Sequence, residues 1–183
     1  SFNNAGFSIL PNSMSVEGLS TKFPTLLVMA ILIIVGSIGW SVIVDVYKRR
    51  RFKRFNLDTK IIIVTSVLLW FVGGLVFFIS EYSNVGTIGQ LSLRDKVGLT
   101  LFESISGRTA GFTSIDFSAI NDLTKLFFIS LMFIGGGAGS VAGGIKVGTF
   151  AVIVIAVLSS IRGRLQAEAF GREIPHFQVN RAI

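Results

Sequence analysis

Between Leu126 and Ile161 the chain runs for 36 residues with a single charge, Lys146, and no other stretch constrains the fold as much. As one α-helix this run would be about 54 Å long at 1.5 Å per residue, against a bilayer hydrocarbon core of about 30 Å. Two antiparallel crossings fit poorly too, because only 15 uncharged residues follow Lys146 and no polar turn divides the halves. The run must break internally. The block Gly135, Gly136, Gly137, Ala138, Gly139, Ser140, Val141, Ala142, Gly143, Gly144, Ile145, Lys146 marks where, with six glycines in twelve positions, each costing a helix about 1 kcal/mol relative to Ala. Non-helical backbone survives at membrane depth only where protein or a water-filled cavity satisfies its polar groups, so a pore or cavity is expected beside the block. A helix kinked and tightly packed through its glycines is the other arrangement the block permits.

Two further uncharged runs, Phe23 to Val44 with 22 residues and Ile61 to Ser80 with 20, are each long enough for a membrane span. Gly73-Gly74 in the second suggests a close helix contact. Both runs are internal and no basic region precedes the first, which argues against a signal peptide. Composition agrees with lipid as the surrounding solvent: 51% of residues are hydrophobic and 15% charged, where about 25% charged is usual, and the mean hydropathy is +0.72. There is no Cys and one His, His176, so thiolate chemistry and a multi-His metal site are excluded by inventory. The acids are scattered and no nucleophile–base pair stands out, so an enzyme finds no support.

The net charge of +7 is placed rather than spread. Seven of the thirteen residues from Lys48 to Lys60 are basic, and Arg162, Arg164, Arg172 and Arg181 follow the last apolar run. Basic clusters beside apolar runs are the positive-inside pattern, which sets aside nucleic acid as a partner. With both clusters cytoplasmic, the first span runs inward, the second returns, residues 81–125 lie outside, and the broken run goes inward again.

The outer segment carries its own helix. From Asp95 to Ser106 the apolar residues Val97, Leu101, Phe102 and Ile105 share one helical face. The helix is too short to span, and Gly107-Arg108-Thr109-Ala110-Gly111-Phe112-Thr113 follows it. That sequence suits a re-entrant segment in which a half-helix dips in and an extended strand climbs back. An amphipathic helix resting on the outer surface has the same periodicity. The turn occurs twice: Asn4-Ala5-Gly6-Phe7-Ser8 matches Thr109 to Thr113 at an offset of 105, and Gly36-Ser37-Ile38-Gly39 resembles Gly139 to Ala142 at an offset of 103. A turn and its following helix recurring together in nearly constant register suggest an internal structural repeat.

The run Ser106 to Thr113, followed by Gly135 to Lys146 with its terminal Gly-Gly-Ile-Lys, resembles the Trk/Ktr/HKT superfamily of potassium transporters, most closely KtrB-type membrane subunits. The tail segments Phe170 to Pro175 and Val179 to Ile183 are similar to that family's cytoplasmic connector. The resemblance implies an all-α membrane protein of span, pore helix, span repeats with re-entrant filter turns and one transmembrane helix broken by an intramembrane Gly-rich loop. It divides the chain into residues 1–58, the end of a second repeat; 59–162, a third repeat; and 163–183, a connector toward a fourth. The absence of an initiating Met fits an internal fragment of a longer chain.

In that family four strands, one from each repeat, offer backbone carbonyls to potassium. The resemblance therefore assigns Asn4, Ala5, Gly6 and Phe7 to one filter strand and Thr109, Ala110, Gly111 and Phe112 to another. The carbonyls of Asn4, Ala5, Gly6, Thr109, Ala110 and Gly111 face the ion path, and Phe7 and Phe112 pack behind it. Such a filter replaces the ion's water shell and needs no charged ligand. Arg108 is expected to face away from the path, toward Glu103 or another carboxylate, or to be exposed. The Gly-rich block is implied to be a gate below the filter, with Lys146 either an electrostatic barrier in the ion path or snorkelling to the cytoplasmic interface. Potassium is the implied cargo, sodium a second candidate ion, and no organic cofactor is expected. The implied partners are the bilayer of the cell membrane, a cytoplasmic nucleotide-binding regulatory ring and a second copy of the full-length protein. A non-conducting membrane scaffold that keeps this fold is the competing reading. His176 reads as a surface residue of the connector.

Overall fold

A computed structural model describes residues 2–7, 23–163, 166–175, 177, 179 and 182. Ser8, Arg164, His176 and Arg181 lie outside the described residues. Six α-helices account for most of the described chain: α1 Phe23–Ile38, α2 Trp40–Arg49, α3 Leu57–Glu81, α4 Leu93–Ser106, α5 Asp122–Phe133 and α6 Val147–Ile161. A two-stranded hairpin, β1 Glu168–Ala169 and β2 Arg172–Glu173, follows α6.

Helix α3 is the hub, touching α2, α4, α5 and α6. Its 25 residues correspond to about 37 Å, and it is the one described helix that is by itself long and apolar enough to cross a membrane. It meets α4 through Gly73 and Gly74, as the glycine pair suggests. A Cβ on Gly73 would fall on Ser104 Oγ, and one on Gly74 would lie 3.1 Å from Leu101 Cδ2. The Ser104 hydroxyl donates to the Trp70 carbonyl at 2.7 Å, so the crossing is hydrogen-bonded as well as close.

The run from Phe23 to Val44 is not one straight span. It breaks at Gly39, where α1 and α2 meet at 97°. Gly39 has φ +93°, and a Cβ there would fall on the Ala138 carbonyl oxygen. The apolar run continues through the break because α2 still buries one face, Val42 packing with Ile62 of α3 and Val147 of α6. The far end of α2 is clamped to the start of α3. Asp45 accepts from the Asn56 N–H at 2.9 Å and Asn56 Nδ2–H at 3.2 Å, and pairs with Arg49 at 2.6 Å.

Apolar packing forms successive clusters along the bundle. Phe77, Ile88, Leu99, Ile115, Ile120 and Phe128 join α3, α4 and α5 to the segments that connect them. Leu26, Ala30 and Ile33 of α1 pack on Phe102 and Ala110. Ile61, Ala151, Ala167 and Ile174 join α3 and α6 to the tail. Large apolar side chains also face outward along the helices, among them Ile31 and Val35 on α1, Phe71 and Leu75 on α3, and Leu126 and Ile129 on α5. An exposed belt of this kind suits a lipid or protein surrounding rather than water.

The connections from α3 to α4 and into α5 are held by a buried carboxylate. Glu81, 0% exposed, accepts from the Asn121 N–H and Thr124 Oγ–H on one oxygen and from Asn84 Nδ2–H and Thr87 Oγ–H on the other. Further out, Asp116 accepts from the N–H and Oγ–H of Ser118, and these bonds hold its carboxyl below the usual carboxylate range.

Candidate functional site: two carbonyl strands and a Gly-rich loop

Helix α4 begins at a Ser92 cap, whose Oγ accepts the Asp95 N–H, and ends at Gly107, from which residues 107–113 turn back. Two segments with the same backbone signature meet at that turn. Asn4 and Gly6 have φ +48° and +70°, Thr109 and Gly111 have φ +66° and +79°, while Ala5 and Ala110 between them have ordinary negative φ. In an extended strand successive carbonyls point to opposite sides; alternating the hand of the backbone at every second residue brings them round to one side. Glycine meets this demand without steric cost, and Asn is among the residues that best tolerate it.

The two segments lie against each other. A Cβ on Gly6 would sit 3.0 Å from the Gly111 carbonyl oxygen, and one on Gly111 would sit 2.8 Å from Gly6 Cα. Around them, Ala110 is fully buried and Phe112 packs on the Leu26, Ala30, Ile33 and Phe102 cluster. The Phe112 carbonyl is taken by the Ser106 hydroxyl. Phe7 differs from its counterpart: it is 87% exposed, so within the described residues it does not pack behind its strand. With Phe2, Asn3, Ala5, Gly6 and Phe112 it lines a cleft of about 380 Å³.

The Gly-rich block is a non-helical loop between α5 and α6, as expected from its glycines. Its two ends are stitched together: Gly135 N–H donates to the Ile145 carbonyl at 2.9 Å, Ile145 N–H to Phe133 at 2.9 Å, and Val147 N–H to Gly136 at 2.9 Å. The middle is fastened to the broken end of α1. The break at Gly39 leaves the last α1 carbonyls without helical partners, and Gly137 N–H donates to the Ser37 carbonyl at 2.7 Å and Val141 N–H to that of Gly36 at 3.3 Å. These contacts leave no room for side chains, since a Cβ on Gly136 or Gly137 would fall on the carbonyls of Ser37 or Ile38. Ala138, Gly139, Val141, Gly143 and Gly144 are exposed, Ser140 is half-buried and Ala142 is buried. Lys146 stands at the first position before α6, and its ammonium donates to the Ala142 carbonyl at 2.7 Å. It also lines a cavity of about 270 Å³ with Asp58, Ile62, Ala138 and Thr149.

Loop and strand touch directly. The Gly143 N–H donates to Thr109 Oγ1 at 3.0 Å, and Arg108 donates to the carbonyls of Gly135 and Ile134. Arg108 is 2% exposed and its guanidinium also lies 5.8 Å from the Trp70 ring centroid. Glu103 is not its partner: that carboxylate accepts the Ser114 N–H and Oγ–H, both at 2.7 Å, and Thr113 Oγ–H. Carbonyl partners of this kind leave no mark in a sequence, which is why a carboxylate was the natural expectation for Arg108. Among the described residues no group of three His, Cys, Asp or Glu side chains could hold a metal.

Comparison with known proteins gives this arrangement a context. The family described as TrkH, cation transport protein, matches residues 1–181. The chain belongs to that family. Ktr system potassium uptake protein B of Bacillus subtilis is 43% identical over the whole of this chain and 40% of its own length. The potassium/sodium uptake protein NtpJ of Enterococcus hirae is 35% identical over the whole chain and 40% of its length. This TrkH-family chain thus spans about two fifths of the curated relatives it matches. The crystal structure of the potassium transporter TrkH from Vibrio parahaemolyticus superposes with a TM-score of 0.74 over 99% of this chain and 39% of that one, at 20% identity, which identifies the fold. As in its family, the chain is an integral membrane one, and α3 is the described helix that is by itself long and apolar enough to cross the bilayer.

Proposed function

We propose that this chain supplies two of the carbonyl strands and the gate loop of a potassium-uptake transporter. Potassium passes the carbonyls of Asn4, Ala5, Gly6, Thr109, Ala110 and Gly111, and the loop from Gly135 to Lys146 forms the barrier beyond them. The observation that carries this reading is the twofold recurrence of the alternating backbone at Asn4–Gly6 and Thr109–Gly111. Two strands cannot surround an ion, so the pathway requires the remaining strands of a full-length protein. A dehydrated cation is stabilised by carbonyl dipoles in place of water, and selectivity then depends on how those dipoles are held.

Sodium is a second candidate cargo, as the name of the Enterococcus relative suggests. The exposed basic turn with Lys48, Arg50, Arg51 and Lys53 supports docking of a cytoplasmic nucleotide-binding ring. A homodimer of the full-length protein is the assembly this reading expects. The test is potassium and sodium flux into liposomes holding the full-length protein, compared with its Gly111→Ser variant. Potassium flux that becomes less selective in the variant is the expected result; a protein that moves no ions under any nucleotide or partner condition would be a scaffold instead.

A further inference from the structure

Arg108 and Thr109 are adjacent in sequence, one preceding the candidate strand and the other opening it, and both reach the Gly-rich loop. They take hold of different limbs. Arg108 donates from Nη2 to Gly135 and from Nε, at 3.4 Å, to Ile134 on the outgoing limb. Thr109 Oγ1 accepts the Gly143 N–H on the returning limb. The limbs cross closely there, since a Cβ on Gly135 would fall on the Gly143 carbonyl oxygen. A guanidinium is costly to bury unless its donors are satisfied. Among the described residues no carboxylate pairs with Arg108, and its satisfaction comes from loop carbonyls and the Trp70 face. Moving the loop would strand a buried cation, so loop position and the conformation at residues 108–109 are tied together.

We propose that Arg108 and Thr109 form a two-point latch through which the carbonyl strand and the Gly-rich loop move as one unit. The inference rests on the reading of the strand as ion path and the loop as barrier. Both side chains are positioning groups, acting on the path through the backbone of residues 109–111. Coupling of this kind is reciprocal: whatever displaces the loop alters the strand, and whatever fills the strand with ions biases the loop. An Arg suits the position better than a Lys because its planar fork reaches two consecutive carbonyls while its face rests on an indole.

The experiment uses the full-length protein in liposomes, with potassium flux and potassium-over-sodium selectivity measured together. The variants are Arg108→Gln, Thr109→Val, Thr109→Ser and a loop shortened by deletion of residues 139–142, alone and combined. Arg108→Gln and Thr109→Val are each expected to raise flux and lower selectivity by about fivefold. Thr109→Ser, which keeps the acceptor, restores both properties relative to Thr109→Val. In the shortened protein, where the limbs that the latch holds no longer carry the middle of the barrier, the same substitutions change flux by less than about twofold. If their effects simply multiply with that of the deletion, the latch is overturned while the barrier reading stands. If shortening alone leaves flux unchanged, the barrier reading falls and the latch with it. Should Arg108→Gln not assemble, the Thr109 pair decides the matter alone.

Discussion

Gly6 and Gly111 meet backbone to backbone: a Cβ added to Gly111 would stand 2.8 Å from Gly6 Cα, closer than a real side chain comes to a backbone atom. Each glycine also has positive φ. The pair is doubly specified, once by backbone hand and once by space, and the two demands fall on positions that match in the repeated turn.

Gly111→Ala should therefore do more damage than substitution at a glycine with hand alone. The left-handed backbone costs a residue with a side chain roughly 1–2 kcal/mol, and at Gly111 the neighbour that must yield is backbone. Gly139, with φ +69° and open space where a Cβ would stand, carries the first cost without the second. In the full-length protein Gly111→Ala is expected to lower potassium-over-sodium selectivity sharply, and Gly139→Ala to leave it unaltered. Equal selectivity in the two variants would remove Gly111 from the ion path.

Gly39→Ala tests the bend. The substitution has to accommodate φ +93° and a Cβ directed onto the Ala138 carbonyl, which belongs to the Gly-rich loop. A stability loss of roughly 2 kcal/mol is expected from the backbone and contact terms together. Because Gly36 and Ser37 hold the loop through their carbonyls, flux should rise along with the fall in thermal stability in detergent. A less stable protein with unaltered flux would separate the bend from the loop.

Much of this was legible from the residues. Uncharged length located α3 to within a few residues of Ile61 to Ser80, helical periodicity found α4, and the glycine block announced the loop. The bend at Gly39 was not legible, because the run from Phe23 to Val44 stays apolar on both sides and the atom that packs against the bend, the Ala138 oxygen, lies almost a hundred residues further on. Glu81 was missed for a related reason. An acid at the outer end of a span reads as solvated, yet its four donors converge from residues 84–87 and 121–124. The polar, turn-forming clusters at those two places were the available signal. Arg108 could be read as turned from the path, but its partners are carbonyls, and every residue has one.

Glu81→Ala should destabilise the outer end. Removing the carboxylate takes the acceptor from the Asn121 N–H and the Thr87 hydroxyl, while Asn84 Nδ2–H keeps the Ala119 carbonyl and Thr124 Oγ–H keeps Ser80 Oγ, and each unsatisfied buried donor costs about 1–3 kcal/mol. Partial relaxation reduces the sum, so a loss of about 2 kcal/mol is expected. Glu81→Gln keeps one good acceptor but turns its amide toward other donors, and should fall between. Thermal unfolding of the full-length protein in detergent measures both; an unfolding temperature unchanged in Glu81→Ala would mean that water reaches the cluster.

Glu103 holds the other end of the Thr109–Phe112 strand from Arg108. Its carboxylate takes the Ser114 N–H and Oγ–H at 2.7 Å each, beside Thr113, and it is 1% exposed. On the proposed reading of this strand as ion path, a strand fixed at one end by the loop and at the other by α4 has little freedom to relax around a smaller or larger ion, which is one physical route to selectivity. Glu103→Ala orphans a buried backbone N–H and frees the upper end, at a cost of about 1–3 kcal/mol. Selectivity should fall while potassium flux persists, and Glu103→Gln, with one acceptor oxygen left for the Ser114 N–H, should retain more of it. Competition of sodium with potassium uptake in liposomes separates the two variants. If a folded Glu103→Ala protein keeps full selectivity, the strand is held by its carbonyls and glycines alone, and the carboxylate serves only to close the turn at Ser114.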